Sequence, residues 1–307
     1  MAMPGSLRDC LRLNLRMLRH VFANRWLDAP RVGAGYDRVA PDYDRNWLSQ
    51  LRPVTGQLLA ELPASLPPGE LLDLGCGTGH GTVALARRFP DRPLHALDIS
   101  PGMLAQARAK LAAGSGAAGG QIQWHCADML PFLRGRPAGS AALILSTWAI
   151  GYSQPQRLVR EAARVLAPGG VFAFVVNLHD TLRPLFLAFH RTLLAFPAAA
   201  GCALHPRFPR SGAELRRRLE ESGLQVCHLA EGRHPVAPPP GAAGSRFDWL
   251  LRTGVLAGFD AVLPLHDPAH PATRRLRAEV EALAEPLTHH YVLALARKPA
   301  ARTAPCA

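Results

Sequence analysis

Lysine is nearly missing from this chain. Lys110 and Lys298 are the only two, so arginine supplies the rest of the 35 basic residues. Aromatic residues are also scarce, at 7%, and the arginines are dispersed rather than clustered. Nucleic-acid binding draws on clustered basic charge with aromatic platforms for the bases, so a nucleic-acid substrate is not expected. None of the six cysteines forms C-x-x-C, no His/Cys pair has zinc-finger spacing, and no two-His-carboxylate spacing stands out. No metal is therefore expected, and the plain reading of the thiols is buried, free cysteines in a reducing cytosol. No apolar run reaches bilayer-spanning length, because Leu185 to Leu204 is broken by His190, Arg191 and Pro197. The N-terminus lacks the continuous apolar core of a secretory signal, so a cytoplasmic location is expected. Acids are few: 23 against 35 bases leave a net charge of +12. A polyanionic small molecule or an acidic carrier protein would benefit from that field, so charge does not choose among partners. The abundance of arginine, alanine, proline and glycine also fits GC-rich bacterial coding.

What is present is enough for a full core: 307 residues, 48% of them hydrophobic and 19% charged. From Leu71 onward, strand and helix patterns alternate: Leu71–Leu74, His80–Arg88, Pro93–Asp98, Gly102–Leu111, Ile122–His125, Ala141–Leu145, Gln156–Leu166 and Val171–Asn177. Such alternation predicts an α/β fold, a doubly wound parallel sheet with helices on both faces. A helix at Ala213–Ser222 and strands at Leu224–Leu229 and His289–Ala296 follow. Ala112 to Gly120, rich in Gly and Ala, reads as a loose loop.

Within that alternation, Glu70-Leu71-Leu72-Asp73-Leu74 ends in Gly75-Cys76-Gly77-Thr78-Gly79 and leads into a helix. Asp98 closes the next strand, 19 residues after Gly79. Glycines at a strand end let the backbone pass close to a ligand, and a carboxylate at the next strand tip can accept both hydroxyls of a ribose. The dinucleotide fingerprint G-x-G-x-x-G/A does not fit, since the sixth position is His80 counted from Gly75 and Thr82 counted from Gly77. A ligand with one ribose and no phosphate suits the turn better, and S-adenosylmethionine has that form.

Four further segments occur in a telling order: Tyr36-Asp37-Arg38-Val39-Ala40-Pro41-Asp42-Tyr43-Asp44, Ala127-Asp128-Met129, Leu145-Ser146-Thr147-Trp148 and Val165-Leu166-Ala167-Pro168-Gly169-Gly170. With the glycine turn, they make the chain resemble a class I S-adenosylmethionine-dependent methyltransferase of the small-molecule, ubiquinone/menaquinone-type (methyltransferase type 11/25-like) group. The resemblance covers roughly Gly35 to Asn177, with weaker echoes to Lys298. It implies a Rossmann-like, mostly parallel seven-stranded sheet with an N-terminal helical extension and helical lid insertions. The cofactor implied is S-adenosyl-L-methionine, with S-adenosyl-L-homocysteine as product. Carried over by position, Gly75 and Gly77 would touch the methionine portion and Asp73 would place an acceptor near its ammonium. Asp98 would hold the ribose, with Ile99 and Met103 against adenine. Asp128 would accept from the adenine amine, with Met129 on the ring face. Ser146 at the fourth strand, and Tyr36 and Tyr43 in the segment before the core, complete the expected cofactor set. The competing reading makes Asp98 and Asp128 turn or N-cap residues, and the tyrosines simple packing.

The domain reading is a helical extension over 1–32, a methyltransferase domain over 33–298 with lid insertions at about 178–210 and 231–288, and a disordered tail over 299–307. Two insertions this long should be folded. Catalytic candidates lie after the fourth and fifth strands: Tyr152, and His179 beside Asp180, whose carboxylate would raise the imidazole's basicity. The competing reading makes Asp180 a helix cap and His179 surface loop. Apolar side chains on the insertions, among them Phe186, Phe189, Leu193, Phe247, Trp249 and Leu250, either bury against the sheet or line a site for a sizeable apolar acceptor.

Ser6 to Trp26 reads as a helix with leucines on one face and Arg8, Arg12, Arg16 and Arg19 on another. Such a helix can pack on its own domain, form a homodimer contact, or make peripheral contact with an anionic membrane. The expected function is methyl transfer to an apolar small molecule of secondary or cofactor metabolism. The alternatives are a membrane-associated quinone or lipid methyltransferase and a non-methylating cyclase or scaffold that binds the same cofactor.

Overall fold

The computed structural model describes residues 7–113, 122–203, 208–239 and 244–300. Most of the Gly/Ala-rich loop read at Ala112–Gly120, and all but the first two residues of the expected tail, lie outside them. In chain order the helices are α1 (Leu7–Phe22), α2 (Ala29–Val39), α3 (Ser49–Ala60), α4 (His80–Arg88), α5 (Pro101–Ala113), α6 (Met129–Arg134), α7 (Pro155–Val165), α8 (Arg183–Ala195), α9 (Gly212–Glu221), α10 (Arg246–Leu250) and α11 (Pro271–Glu281). The strands are β1 (Glu70–Leu74), β2 (Leu94–Asp98), β3 (Ile122–Cys126), β4 (Ala141–Thr147), β5 (Leu166–Asn177), β6 (Gln225–Val236) and β7 (Leu287–Arg297).

Two compact units emerge. One comprises the described residues of 51–179, 207–233 and 290–307 and holds most of the sheet, whose strand order is β3-β2-β1-β4-β5-β7-β6. β1 pairs in parallel with β2 and β4, β2 with β3, and β4 with β5, whereas β7 runs antiparallel to β5. The mostly parallel seven-stranded sheet that the resemblance implies is present. Its central strands are covered on both faces and so read as near-continuous apolar runs; β2 and most of β4 are fully buried. One face packs Leu72, Leu74 and Phe172 with Leu158, Val159 and Ala162 of α7. The other packs Leu71, Leu143 and Val171 with Val54 and Leu58 of α3 and Leu85 of α4. Each such fully buried Leu or Phe contributes about 1.5–3 kcal/mol. Chain order reverses direction across the sheet between β1 and β4. In a doubly wound sheet that is where a crevice opens beyond the carboxyl ends of the strands.

The other unit comprises residues 1–50, 180–206 and 234–289. Its interior takes the apolar residues of both inserted stretches: Phe189 and Leu193 of α8, and Phe247, Trp249 and Leu250 of α10, are all buried. Trp47 lies against both Trp249 and His289, with ring centroids 6.3 and 5.4 Å apart. Ser245 and Asp248 form a capping box at the start of α10, and Arg277 of α11 grips the Asp248 carboxylate at 2.7 and 2.8 Å. That grip holds the acid well below the usual carboxylate range.

Three local expectations are corrected. The first helix ends at Phe22 rather than Trp26, because Asn24 takes a left-handed conformation at φ 51°. Cys76 and Cys202 are buried, but Cys126 and Cys227 are exposed; the described cysteines are free. Alternation along β3 and β6 turns those two thiols outward, since these edge strands bury only one face. β5 begins at Leu166 rather than Val171, running through Pro168-Gly169-Gly170, with Gly169 at φ 80°.

Candidate active site

The turn after β1 is built on three left-handed glycines, Gly75 at φ 71°, Gly77 at φ 53° and Gly79 at φ 83°. Their neighbourhoods differ. A Cβ at Gly75 would stand 2.4 Å from the Cβ of Ala149, beyond the end of β4, so this glycine closes the β1–β4 junction. A Cβ at Gly77 would meet nothing within 4 Å. Gly77 therefore borders open space, the room that a ligand at this turn would need.

Asp98, buried at the tip of β2, organises this turn. Its Oδ2 accepts the Gly77 amide at 2.9 Å and its Oδ1 the Ser100 amide at 2.9 Å. The Ser100 hydroxyl in turn accepts the amide of Met103 at 3.0 Å, starting α5. Ile99 is half-buried between these residues, and Met103 is fully buried. The turn reading and the ligand reading of Asp98 are thus compatible: the carboxylate that shapes the turn stands at the strand tip.

Asp73 sits one residue before the end of β1 and is buried. The Thr82 hydroxyl of α4 donates to its Oδ2 at 2.6 Å, while Oδ1 has no hydrogen-bond partner. Gly81 makes the close approach of α4 feasible, since a Cβ there would lie 3.2 Å from the carboxylate. Burial, opposed by the Thr82 hydrogen bond and assisted by the charge of Asp98, pushes the Asp73 pKa up to about 7. A buried acid with one unpaired oxygen beside a glycine turn suits a cation nearby, as the ammonium of an amino-acid ligand would supply. Burial, then the charges of Asp73 and Asp98, also pushes the Cys76 thiol up, which argues against a nucleophilic thiolate there.

The remaining strand tips frame the same crevice. Asp128 after β3 is the N-cap of α6, accepting the Leu130 amide at 3.0 Å. Next to it Met129 is buried, its Cε 3.5 Å from where a Gly75 Cβ would be. Ser146 of β4 is fully buried and donates to the Leu74 carbonyl at 2.8 Å, tying β4 to β1 just below the turn. Trp148 follows β4 with φ 64°, a left-handed conformation costly for a bulky residue. Its indole donates to Thr55 at 3.1 Å and meets Tyr291 edge-on at 5.6 Å. Backbone strain of this kind clusters at functional sites.

Tyr152 ends a short 3-10 turn beyond β4, and His179 is exposed beyond β5, its amide donating to Pro209 at 3.0 Å. Asp180 begins a segment of the other unit, which also holds Tyr36 on α2 and Tyr43 just after it, whose rings meet edge-on at 6.2 Å. The structure thus gathers Asp73, Gly75, Gly77, Asp98, Ile99, Asp128, Met129 and Ser146 around the ends of β1 to β4. Sequence reasoning missed Thr82, Ser100 and Ala149, whose contacts are tertiary. The one available signal was Gly81-Thr82 directly after the turn, a small residue and a hydroxyl on the first turn of α4. Among the described residues no group of three or more His, Cys, Asp or Glu side chains could hold a metal ion.

A doubly wound sheet with a glycine turn and an acid on each of the next two strand tips defines a nucleoside-binding α/β enzyme. Residues 71–170 match the family described as a methyltransferase domain. The chain is 34% identical over 206 residues to a malonyl-[acyl-carrier protein] O-methyltransferase of Dechloromonas aromatica, covering 65% of this chain and 67% of that protein. It is 34% identical over 239 residues to the protein of the same name from Hahella chejuensis, covering 72% and 80%. It spans about half the length of the Alcanivorax borkumensis relative, at 35% identity. In fold it resembles a methyltransferase structure from Bacillus halodurans, with a TM-score of 0.51 at 19% identity, covering 80% of this chain and 98% of that one. The chain belongs to the class I S-adenosylmethionine-dependent methyltransferases, and S-adenosylmethionine is its cofactor.

Proposed function

We propose that the enzyme methylates an oxygen of a carboxylate on an acyl chain carried as a thioester. The supporting observation is the reach of the likeness to the malonyl-[acyl-carrier protein] O-methyltransferases. It extends over 239 residues, well past the matched cofactor core of residues 71–170, and so includes segments outside the cofactor turn.

In this reading Gly77 leaves its face of the turn open to the cofactor, Asp98 takes the ribose, and Asp128 the adenine amine, with Met129 against the ring. Asp73 supports the ammonium through its buried charge. When bound, S-adenosylmethionine supplies a methyl group on a positive sulfur, which an acceptor oxygen displaces in line. A carboxylate acceptor is already ionised at neutral pH, so it needs orientation and exclusion of water more than it needs a base. Tyr152 and His179, beyond β4 and β5, then serve to orient or screen the acceptor. For a hydroxyl or carbon acceptor, the class expected from the apolar insertions, one of them would have to remove a proton.

The test is label transfer from methyl-labelled S-adenosylmethionine to a malonyl thioester, run beside a panel of apolar phenols and quinols. A base-labile methyl ester with a rate, at saturating S-adenosylmethionine, flat from pH 6 to 8 supports the proposal. Label entering only the hydroxyl or carbon acceptors overturns it.

A further inference from the structure

α1 inverts the usual rule for a surface helix. Its large apolar side chains point outward: Leu7 is 89% exposed, Leu11 59%, Leu15 and Leu18 50% each, Val21 39% and Phe22 86%. On a wheel of about 100° per residue these six fall in one arc of about 120°. Arg8, Arg12 and Arg19, all exposed, form a row along one border of that arc. The opposite side of the helix is pinned to its own unit. Leu13 and His20 are buried, His20 Nε2 lies 2.8 Å from the Ala200 carbonyl, and Arg16 Nε donates to the same oxygen at 3.1 Å. The helix is thus a fixed platform about 24 Å long, at about 1.5 Å per residue, presenting a convex apolar strip edged with guanidinium groups.

We propose that this face of α1 seats the protein on an anionic lipid surface, lying in the plane of the headgroups. The choice of occupant rests on charge and shape. α1 carries a single acid, Asp9, and the whole chain has a net charge of +12, so a second copy would bring arginine rows and like net charge together. A convex strip of apolar side chains, broken by the polar Asn14, with basic residues at its border matches an interfacial helix, in which the apolar arc sinks to the acyl boundary and the arginines meet lipid phosphates. No helix among the described residues is long and apolar enough to cross a membrane, so contact would be peripheral. The inference is independent of which acceptor is methylated.

The experiment is co-sedimentation of the full chain with vesicles of phosphatidylcholine alone and of phosphatidylcholine with a minority of phosphatidylglycerol. The expected result is binding to the anionic vesicles only, weakened by added salt. Replacing Arg8, Arg12 or Arg19 by Ala should lower vesicle affinity by about fivefold each. Leu11→Glu with Leu15→Glu should abolish binding, while circular dichroism and S-adenosylhomocysteine affinity stay unchanged. Should the glutamate variant fail to fold, the arginine variants and the salt dependence decide alone. The proposal is overturned by no binding to anionic vesicles at low salt, or by binding that the substitutions leave intact. It is equally overturned if vesicles fail while the same substitutions dissolve a dimer in sedimentation velocity, or release an acidic carrier protein.

Discussion

The carboxylate of Asp98 accepts the backbone amide of Gly77 at 2.9 Å across 21 residues of chain, tying the tip of β2 to the turn that leaves β1. The acid proposed to hold the ribose therefore also shapes the loop proposed to admit the methionine portion. Asp98→Ala should weaken S-adenosylhomocysteine binding by about 1–3 kcal/mol, the loss expected for hydrogen bonds to a charged group. Asp98→Asn keeps one acceptor oxygen and should lose less. Titration calorimetry on the three proteins checks the order, and wild-type affinity in the alanine variant would remove Asp98 from the site.

Gly75 and Gly77 are both left-handed, yet their substitutions should fail differently. An alanine at either pays about 1–2 kcal/mol for the backbone conformation. At Gly75 the added methyl also collides with Ala149, and overpacking adds about 1–3 kcal/mol. Gly75→Ala should therefore lower folding stability most, whereas Gly77→Ala should fold but bind cofactor at least about tenfold more weakly, its methyl occupying the ligand's space. Thermal melts and calorimetry separate the two. A Gly77→Ala enzyme with unchanged affinity would mean that the open side of the turn is not where the cofactor lies.

The contrast between these glycines marks what was legible in the sequence. The turn and Asp98 could be read directly, because glycine spacing and strand-end acids are properties of the local chain. The Thr82 bond to Asp73 could not, because it depends on how α4 docks on β1. The stripes of α8 and α10 were visible as apolar, but periodicity cannot say whether Phe189 or Trp249 meets a ligand or its own unit's interior. Nor could it show that the leucines of α1 face outward while His20 faces inward. An amphipathic pattern gives the angle between two faces and leaves open which one the fold covers.

Asp73 gives the site a pH signature. Its folded-state pKa of about 7 lies above the ordinary carboxylate value of 3.8, so between those values the folded protein keeps a proton that the unfolded chain has released. Stability due to this group is full below pH 4 and falls as pH rises towards 7. Asp73→Asn preserves an acceptor for Thr82 and removes the titration. It should flatten that part of the stability profile and gain of the order of a few kcal/mol at pH 8 relative to wild type. Saturating S-adenosylhomocysteine, which carries the ammonium, should move the wild-type window to lower pH. Urea melts from pH 4 to 8, with and without ligand, measure both effects; a ligand that leaves the window in place would separate Asp73 from the ammonium.

His289 should act in the opposite direction. Burial, and then the charge of His234, lowers its pKa from 6.5 to about 3, so the ring is neutral in the folded unit at pH 7. It stands 5.4 Å from Trp47, centroid to centroid, with Nδ1 3.2 Å from the Thr181 hydroxyl. Between pH 3 and 6.5 the unfolded chain binds a proton that the folded one does not. Stability due to His289 is therefore complete above pH 6.5 and is lost as pH falls towards 3. His289→Phe keeps a ring against Trp47 but cannot be protonated, and it gives up the Thr181 contact, at about 1 kcal/mol. The variant should be slightly less stable than wild type at pH 7.5 and more stable at pH 4.5. Hydrogen exchange over α10 and α11 is the suitable readout, since it reports on this unit alone, where a global melt would mix in the opposite slope from Asp73. Equal acid sensitivity in the two proteins would show that some other group sets the low-pH limit of this unit.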